Sequence, residues 1–501
     1  MSPRLQSALI SATPLLLVLT LVGMFGAIDA LRSHPERKAH KPAVTAAASL
    51  PTPSAEELAA QQKQREIDAK FPLHGLVTGL QLKVRMQPSS DAIVVGWLRV
   101  GSRIRVAPGP TKTATCATGW YAIATQGYAC AGEGIEIGDK PPEPNAPYAI
   151  VPPARDEPLP YTYYSVKEEK VPEYHRLPSR DEQRSAETFS LRLQELAAKD
   201  PKKAEKLLAN ELPGEPRKMD LVRRFIERGF FVASTGIEVR AQRRFVRTVR
   251  GSFVKMTGLE PRKGTDFHGV LLDDTHKLPI AWAVREAQSF IPRPREDGTL
   301  RLLTDDKSIT YPRLAQIPWA KREHVGDQLF HKLEDGHYLK AWYVAVAEPI
   351  ERPKDIPPNQ PWVHVNIDQQ TLVAYVGDTP VYATLVSTGL PGHDTPVGLF
   401  EIRAKHVSAT MSDIGPDVSE DLRYSIEDVP WTQYFAGSVA LHGAFWHGGF
   451  GLPHSHGCVN LAPLDAHWLF DHTWPVIDDG WHGVTTDTTG LKGSKVWITE
   501  K

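Results

Sequence analysis

Short runs of alternating apolar and polar residues recur along most of the chain and predict a protein built mainly of β-strands. Residues 71–139 contain "LQLKVRMQPSSDAIVVGWLRV" and "GWYAIATQGYACAG", and the second run has Gln126 and Gly127 at its centre. A period of two is typical of strands that bury one face, and a central glycine favours a hairpin turn. We therefore predict a small β-domain over residues 71–139.

The pattern changes on both sides of residue 160. Prolines in residues 140–160 exclude a helix and predict a linker or an extended strap. Residues 161–349 combine a stretch of helical spacing, with Ser179 as its expected cap, and β-like runs such as "RGFFVASTG" and "DGHYLKAWYVAVAEPI". This combination predicts a mixed α+β middle domain, for which the sequence indicates no function.

A second proline-rich linker, residues 350–361, leads into a last predicted domain over residues 362–501. Its first runs, "WVHVNI", "TLVAYV", "PVYATLVSTG" and "TPVGLFEI", predict strands. The chemically active residue types follow in "ALHGAFWHGGFGLPHSHGCVNLAPLDAHWLF". The expected fold class is therefore a multidomain, mainly β protein with its chemistry near the C-terminal end.

Composition indicates a globular protein and argues against a nucleic-acid partner. The chain has 501 residues, of which 41% are hydrophobic and 23% charged, and this is typical of globular protein with two to four domains. Its formal net charge is -1, so bulk electrostatics predict no nucleic-acid partner.

The N-terminal segment indicates export. A basic start is followed by "PLLLVLTLVGMFGAI", which fits a signal peptide ending near Ala30 or, counted back to Ala8, an uncleaved membrane anchor. We therefore assign residues 1–30 to a signal peptide or inner-membrane anchor and residues 31–70 to a disordered linker. The expected location is the cell envelope, either periplasm or cell wall.

An oxidising location bears on the three cysteines. Cys116 and Cys130 bracket one hairpin-like stretch and are expected to form a disulfide, the alternative being two free buried thiols. Cys458 then remains as a free thiol.

Arginines cluster between residues 240 and 250. They could form a patch for an anionic wall polymer, but we favour a strand with a solvated face, in which Arg244 and Arg250 point away from Phe245 and Val249.

The segment "HSHGCVNL" indicates nucleophilic chemistry at Cys458. A thiol attacks carbonyls as a thiolate, and His442 or His456 could act as its base, while the backbone N–H groups of Gly457 and Cys458 could approach an oxyanion. A buried structural cysteine would explain neither the glycines nor the histidines. Zinc is the sharpest alternative, since five residues could serve as ligands: His442, His447, His454, His456 and Cys458. A single cysteine without Asp or Glu in the motif is an unusual ligand set, so we expect no metal.

Two resemblances to known families follow from these motifs. The sequences "VRMQPS", "GWLRVG" and "GWY" in residues 71–139 resemble a bacterial SH3-like domain, a β-barrel that commonly binds cell-wall peptides or acts as a spacer. Residues 362–501, with "LHG" before "SHGCVN" and "TPVGLFEI" upstream, resemble the L,D-transpeptidases, enzymes that cross-link peptidoglycan. The second resemblance implies a β-sandwich-like catalytic domain without a cofactor.

The L,D-transpeptidase resemblance also implies roles for individual residues. Cys458 would be the nucleophile, His442 the base, and His456 and Gly457 pocket residues of the catalytic motif. We expect five further residues to bind substrate: Gly443, Ser455, Asn460, Tyr434 and Trp446. The loop between base and nucleophile is slightly shorter than usual, and Gly443 replaces a hydroxyl residue, so a backbone carbonyl would have to orient the His442 ring.

The implied reaction uses stem peptides as donor and acceptor. It would form 3-3 cross-links through a Cys458 thioester. Two alternatives stay open: hydrolysis of stem peptides by a carboxypeptidase or endopeptidase, and attachment of envelope proteins to peptidoglycan.

Overall fold

The computed structural model describes residues 55–143, 151–414, 423–486 and 489–500. The predicted signal peptide or anchor and residues 31–54 of the predicted linker lie outside these ranges. Within them the chain is mainly β-strand with four α-helices, as the alternating pattern predicts. No helix in the described ranges combines the length and the apolarity that a membrane span requires.

The end of the predicted disordered linker is helical. Helix α1 (Ala55–Lys70) covers "AEELAAQQKQREIDAK". This stretch lacks Gly and Pro and is rich in Ala, Glu, Gln and Lys, which are strong helix formers. Gln64 donates a hydrogen bond of 3.0 Å to Asp68 one turn later, a pairing that supports a helix. The expectation of disorder up to residue 70 was therefore wrong for residues 55–70.

Eight strands follow α1 and form the N-terminal β region. The predicted hairpin is present, since β6 pairs with β7 around Gly127, whose positive φ of 84° suits glycine. A disulfide joins Cys116 and Cys130 at the ends of this hairpin. The strands are β1 (Leu73–Val77), β2 (Gln81–Arg85), β3 (Val94–Arg99), β4 (Arg103–Val106), β5 (Thr111–Thr113), β6 (Cys116–Ala122), β7 (Tyr128–Cys130) and β8 (Ile135–Gly138).

The middle region begins with a strap over residues 151–160 and seven strands that accompany two helices. Ser179 caps α2 through a capping box with Glu182, as predicted. The elements are β9 (Thr162–Val166), β10 (Val171–Tyr174), α2 (Arg180–Lys199), α3 (Pro201–Leu208), β11 (Val222–Ile226), β12 (Phe231–Arg240), β13 (Arg243–Thr248), β14 (Phe253–Lys255) and β15 (Leu259–Arg262).

The second part of the middle region consists of short antiparallel strands. Strand β16 leaves this group and pairs with β29 of the last domain. The strands are β16 (Val270–Leu271), β17 (Ile280–Ala283), β18 (Ala287–Gln288), β19 (Ile291–Pro294), β20 (Leu300–Leu303), β21 (Thr310–Tyr311), β22 (Gln316–Ile317), β23 (Trp319–Val325), β24 (Gln328–Leu333), β25 (Tyr338–Lys340) and β26 (Val344–Ala347).

The last domain contains two sheets around one apolar core. One sheet has the order β16-β29-β28-β27-β36-β30, and in the other β35, β31, β32, β33 and β34 are successive neighbours. Buried Val363 and Leu372 from the first sheet join Leu441 and Val459 from the second in this core. The elements are β27 (Pro361–Asn366), β28 (Thr371–Val376), β29 (Thr379–Leu385), β30 (Gly398–Glu401), β31 (Ala404–Asp413), β32 (Tyr424–Ala436), β33 (Val439–Gly443), β34 (Val459–Leu461), α4 (Pro463–His472), β35 (Gly483–Thr485) and β36 (Lys495–Thr499).

The arginine cluster serves internal contacts rather than a solvated face. Only Arg244 matches the predicted outward position, since it is exposed. Arg250 is half-buried and lies 3.2 Å from the carboxylate of Glu427, a buried residue of β32. A buried carboxylate requires a cationic partner, and this requirement explains the direction of Arg250.

Candidate active site

The base predicted from the sequence lies on strand β33, and the predicted nucleophile directly precedes the neighbouring parallel strand β34. Strand β33 pairs with β34 so that His442 is opposite Asn460. Cys458 lies in the bend directly before β34, two residues ahead of Asn460. His442, Cys458 and Asn460 line one cleft of about 460 Å³, whose full lining is Phe231, Thr410, Met411, Ser412, Tyr424, Ile426, Tyr434, Ser438, Val439, His442, Trp446, His454, Ser455, His456, Cys458 and Asn460.

His442 is held as a neutral base. Its Nδ1 lies 3.2 Å from the carbonyl oxygen of Gly443, and the ring stacks on Trp446 with centroids 5.7 Å apart. If Nδ1–H donates to that carbonyl, Nε2 has the free lone pair that a general base needs. Burial lowers the pKa of His442 to about 4, against a weaker opposing effect of the Gly443 carbonyl. The ring is therefore neutral at ordinary pH, and a backbone carbonyl orients it.

Cys458 is a partly exposed thiol in its resting form. Its Sγ donates to the carbonyl oxygen of Ser438 at 3.8 Å. Burial raises the pKa of Cys458, and a hydrogen bond from the Ala440 backbone opposes the rise only in part. Within the described ranges no hydrogen bond joins Cys458 to His442. Catalytic hydrogen bonds often form only when substrate binds, so the lack of this contact at rest is compatible with His442 as a base.

The turn before Cys458 is fixed by Ser455. The hydroxyl of Ser455 donates to the carbonyl of Cys458 and accepts the N–H of Gly457 at 3.1 Å. Gly457 has a positive φ of 112°, which suits glycine in this turn. The N–H of Gly457 is thus not the free oxyanion donor that we expected, because Ser455 occupies it. Ser455 borders the cleft, but its hydroxyl holds the turn.

The remaining predicted site residues divide into two groups. Tyr434, Trp446 and exposed His456 line the cleft, and burial raises the pKa of Tyr434 to about 12, with a further rise from the neighbouring Cys458. Gly443 is not among the lining residues. It is buried, and a Cβ there would meet Pro430 at 3.0 Å, so it acts through its carbonyl.

Two aromatic residues near the motif belong to the core rather than to the cleft. The rings of Phe445 and Tyr163 stack with their centroids 3.9 Å apart. Phe450 packs in the hydrophobic core cluster that contains Trp362. Their position in the sequence, on either side of Trp446, would by itself place both around the reacting groups. The segment that contains them and Trp446 has no regular secondary structure, so the sequence alone does not predict which of these side chains face the cleft.

Several lining residues were not identified from the sequence. The rings of Tyr424 and His456 stack with their centroids 5.4 Å apart. Met411 and Ile426 provide an apolar wall. The most distant is Phe231 of the middle region, which contacts Trp446 with ring centroids 6.2 Å apart. A single parallel bridge between Phe231 and Ile426 positions it. No local motif marks Phe231, since only the tertiary fold brings it to the cleft.

The zinc alternative has little geometric basis in the described part of the chain. The His447 and His454 rings lie 4.1 Å apart, but no group of three His, Cys, Asp or Glu side chains in the described ranges is arranged to hold a metal ion. His447 instead binds Asn460, with its Nε2 2.9 Å from the side-chain amide.

Comparisons with known proteins agree with the motif. Residues 360–498 match the family model YkuD, described as the L,D-transpeptidase catalytic domain. None of the curated proteins matches the chain.

Solved structures with some likeness include three L,D-transpeptidases. One from Enterococcus faecium is 19% identical over 31% of this chain and 55% of its own, with a TM-score of 0.22. One from Stackebrandtia nassauensis is 23% identical, and the match covers 30% of this chain and 58% of that protein, with a TM-score of 0.21. L,D-transpeptidase 3 from Mycobacterium tuberculosis is 17% identical over 37% and 79%, with a TM-score of 0.23. The chain thus spans just over half of the first two proteins.

The assignment rests on the family model together with the geometry of Cys458 and His442, because the TM-scores are all below 0.5. The matched segment begins at the start of β27 and ends within β36, so it spans both sheets of the last domain. Residues 360–498 of this chain are therefore similar in sequence to the catalytic domain of the L,D-transpeptidases.

Proposed function

We propose that this chain is a peptidoglycan L,D-transpeptidase that forms 3-3 cross-links between stem peptides through a Cys458 thioester. The observation that supports this most directly is that His442 of β33 and Cys458, which directly precedes the paired strand β34, line one cleft. A neutral imidazole beside a partly exposed thiol is the arrangement that acyl transfer through cysteine requires.

The first step would acylate Cys458. As Sγ attacks the carbonyl carbon of the third residue of a donor tetrapeptide, Nε2 of His442 takes the thiol proton. The amide C–N bond then breaks, and the same proton goes to the nitrogen of the departing D-alanine. The product is a thioester on Cys458, which retains the reactivity needed for the second step.

The second step would transfer the acyl group. The side-chain amine of the third residue of an acceptor stem attacks the thioester carbon, and Nε2 of His442 takes one of its protons. The C–S bond breaks, and the proton returns to Sγ. A new amide joins the third residues of two stems, and the enzyme is restored without any external energy source.

The shape of the cleft favours transfer over hydrolysis. Aromatic and aliphatic side chains form one wall, with Phe231, Met411, Ile426 and Trp446 as its members. An apolar wall fits the methyl groups and the methylene chain of stem peptides and reduces access of water to the thioester. The acceptor amine would enter along the polar side, where His456 is exposed.

The location would be outside the cytoplasm. The disulfide between Cys116 and Cys130 supports this part of the proposal, since disulfides persist in oxidising compartments. Peptidoglycan stems are accessible there to a domain of this kind.

The decisive experiment supplies purified protein with a donor tetrapeptide and increasing amounts of an acceptor that has a free third-residue amine. Mass spectrometry should detect the acyl-enzyme on Cys458 and a cross-linked dimer whose yield rises with acceptor. Free tripeptide as the only product at every acceptor concentration would identify a hydrolase instead. Transfer to an added envelope protein, but never to a second stem, would identify an attachment enzyme.

A further inference from the structure

Arg313 of the middle region contacts the base–nucleophile loop, which we define as residues 444–457. Its Nη1 donates to the carbonyl of Gly448 at 2.6 Å, its Nη2 to that of Phe450 at 2.7 Å, and its Nε to that of Val284 at 3.1 Å. Within the described ranges no carboxylate forms an ion pair with Arg313. A planar guanidinium fixes the direction of each bond, so Arg313 ties this loop to the middle region at two points.

The same loop packs against the middle region without space for a larger residue. Gly451 has a positive φ of 88°, and a Cβ there would lie 2.5 Å from Val284 Cγ1. The N–H of Gly451 also donates to Val386 of the catalytic domain at 2.9 Å. The loop is therefore held on both sides next to the carbonyls that Arg313 binds.

The two carbonyls bound by Arg313 flank Gly449, which controls the ring of His447. The N–H of Gly449 donates to His447 Nδ1 at 3.0 Å. Burial, with smaller effects of nearby His454, His442 and Arg313, lowers the pKa of His447 to about 3. A neutral ring whose Nδ1 accepts a hydrogen bond has its proton on Nε2. Gly449 thus selects the tautomer of His447.

The Nε2 proton of His447 orients the side-chain amide of Asn460. The structure places Nδ2 of Asn460 2.9 Å from Nε2, but the partner of an N–H donor must be an acceptor, so we assign the amide oxygen to this position and the nitrogen to the other. The amide NH₂ then occupies the other terminal position of the Asn460 side chain. That position is buried and has no hydrogen-bond partner within the described residues. Asn460 is among the residues that line the cleft, so this leaves an unpaired donor at the border of the cleft that contains Cys458.

We propose that Arg313 is a positioning residue of the active site, which acts through Gly449 and His447 to aim the Asn460 amide N–H at a carbonyl or carboxylate oxygen of the bound peptide. The peptide ligand rests on the proposed function, whereas the chain of contacts does not. In this way the middle region, for which the sequence indicated no function, determines the geometry of the cleft.

The test compares Arg313→Ala and Arg313→Lys with Arg322→Ala as the matched control. Arg322 belongs to the same part of the middle region and pairs with Glu348 without a contact to the loop. Hydrogen–deuterium exchange of the unliganded protein should become at least about tenfold faster in residues 448–451 of Arg313→Ala, since two hydrogen bonds are lost. Arg313→Lys keeps the charge but not the planar geometry and should restore little of the protection. Exchange equal to that of Arg322→Ala would overturn the proposal.

A double-mutant cycle with donor peptide extends the test to function. Arg313→Ala and His447→Ala should each lower kcat/KM about tenfold, the loss expected when one oriented hydrogen bond is removed. The double variant should lose no more than either single one, because both act through Asn460. Losses that multiply would show that the two residues act separately and would contradict the proposal. A wild-type protein that is inactive, while exchange responds as expected in both variants, would refute the proposed function and leave the positioning contacts supported.

Discussion

The N-terminal β region and the middle region both contact the catalytic domain, but they serve it differently. Strand β3 of the N-terminal region pairs with β35 at the edge of a sheet, and Arg99 forms a buried ion pair of 2.5 Å with Asp428. None of its described residues lines the cleft. The middle region contributes Phe231 to the cleft wall and Arg313 to the base–nucleophile loop. One region supports the fold, and the other also shapes the site.

The largest effect is expected for the catalytic base, and the effects of changes in the two regions can be compared with it. His442→Ala should lower the rate of Cys458 acylation by about 10²–10⁴, the usual contribution of a general base. Acylation is measured from the mass of the intact protein after mixing with a donor tetrapeptide. The control is His324→Ala, an exposed histidine of the middle region, which should acylate like wild type. His454→Ala, at the cleft border, should retain substantial activity. An unchanged rate in His442→Ala would remove this residue from the mechanism.

At the N-terminal interface we expect a loss of stability without a loss of chemistry. Arg99→Ala leaves the buried carboxylate of Asp428 without its cation and should lower the free energy of unfolding by about 3–5 kcal/mol. Chemical denaturation measures this change, and acylation per folded molecule should match wild type. Arg103→Ala, an exposed arginine of the same region, is the control. A specific activity that falls with Arg99→Ala would break the distinction between the two regions.

In the middle region we expect the opposite, namely an effect on the reaction with peptide. Phe231→Ala removes part of the apolar wall and should raise KM for the donor peptide about tenfold or more, since burying a Phe side chain is worth about 1.5–3 kcal/mol. The turnover number should change less, because Phe231 does not contact the reacting groups directly. Val239→Ala, in the same strand but exposed, controls for strand β12. If KM stays constant in Phe231→Ala, the middle region contributes no binding surface there.

The smallest expected effect concerns the pH dependence of the resting thiol. Because burial raises the pKa of Cys458, its reaction with iodoacetamide should still be rising at the pH where an ordinary thiol, with a pKa of about 8.5, begins to level off. Since the pKa of His442 is about 4, protonation of His442 should produce no inflection between pH 5 and 8. Unreduced protein should be labelled only at Cys458. A plateau already reached by pH 6 would indicate a resting thiolate–imidazolium pair instead.

Local sequence was sufficient for the catalytic motif and insufficient for what surrounds it. The choice of His442 and Cys458 as reacting residues follows from "LHG" and "SHGCVN", and the strands β27 to β29 follow from alternation. Phe231 and Arg313 could not be found in this way, because their partners are far away in the chain. Arg313 binds Gly448 across 135 residues, and no short-range pattern encodes such a contact. Helix α1 was missed for a different reason, since its polar composition resembles that of a linker.

The pairing of β3 with β35 has a consequence for how the protein folds. Strand β3 lies near the beginning of the described chain and β35 near its end, so this edge stays unpaired until almost all of the protein has been synthesised. Contacts of such long sequence separation form slowly, and an open strand edge is a template for aggregation. The complete catalytic domain therefore closes an edge that the N-terminal region cannot close alone. A chain that terminates before Gly483 should expose it, and such a truncated protein should associate in solution while the full chain does not.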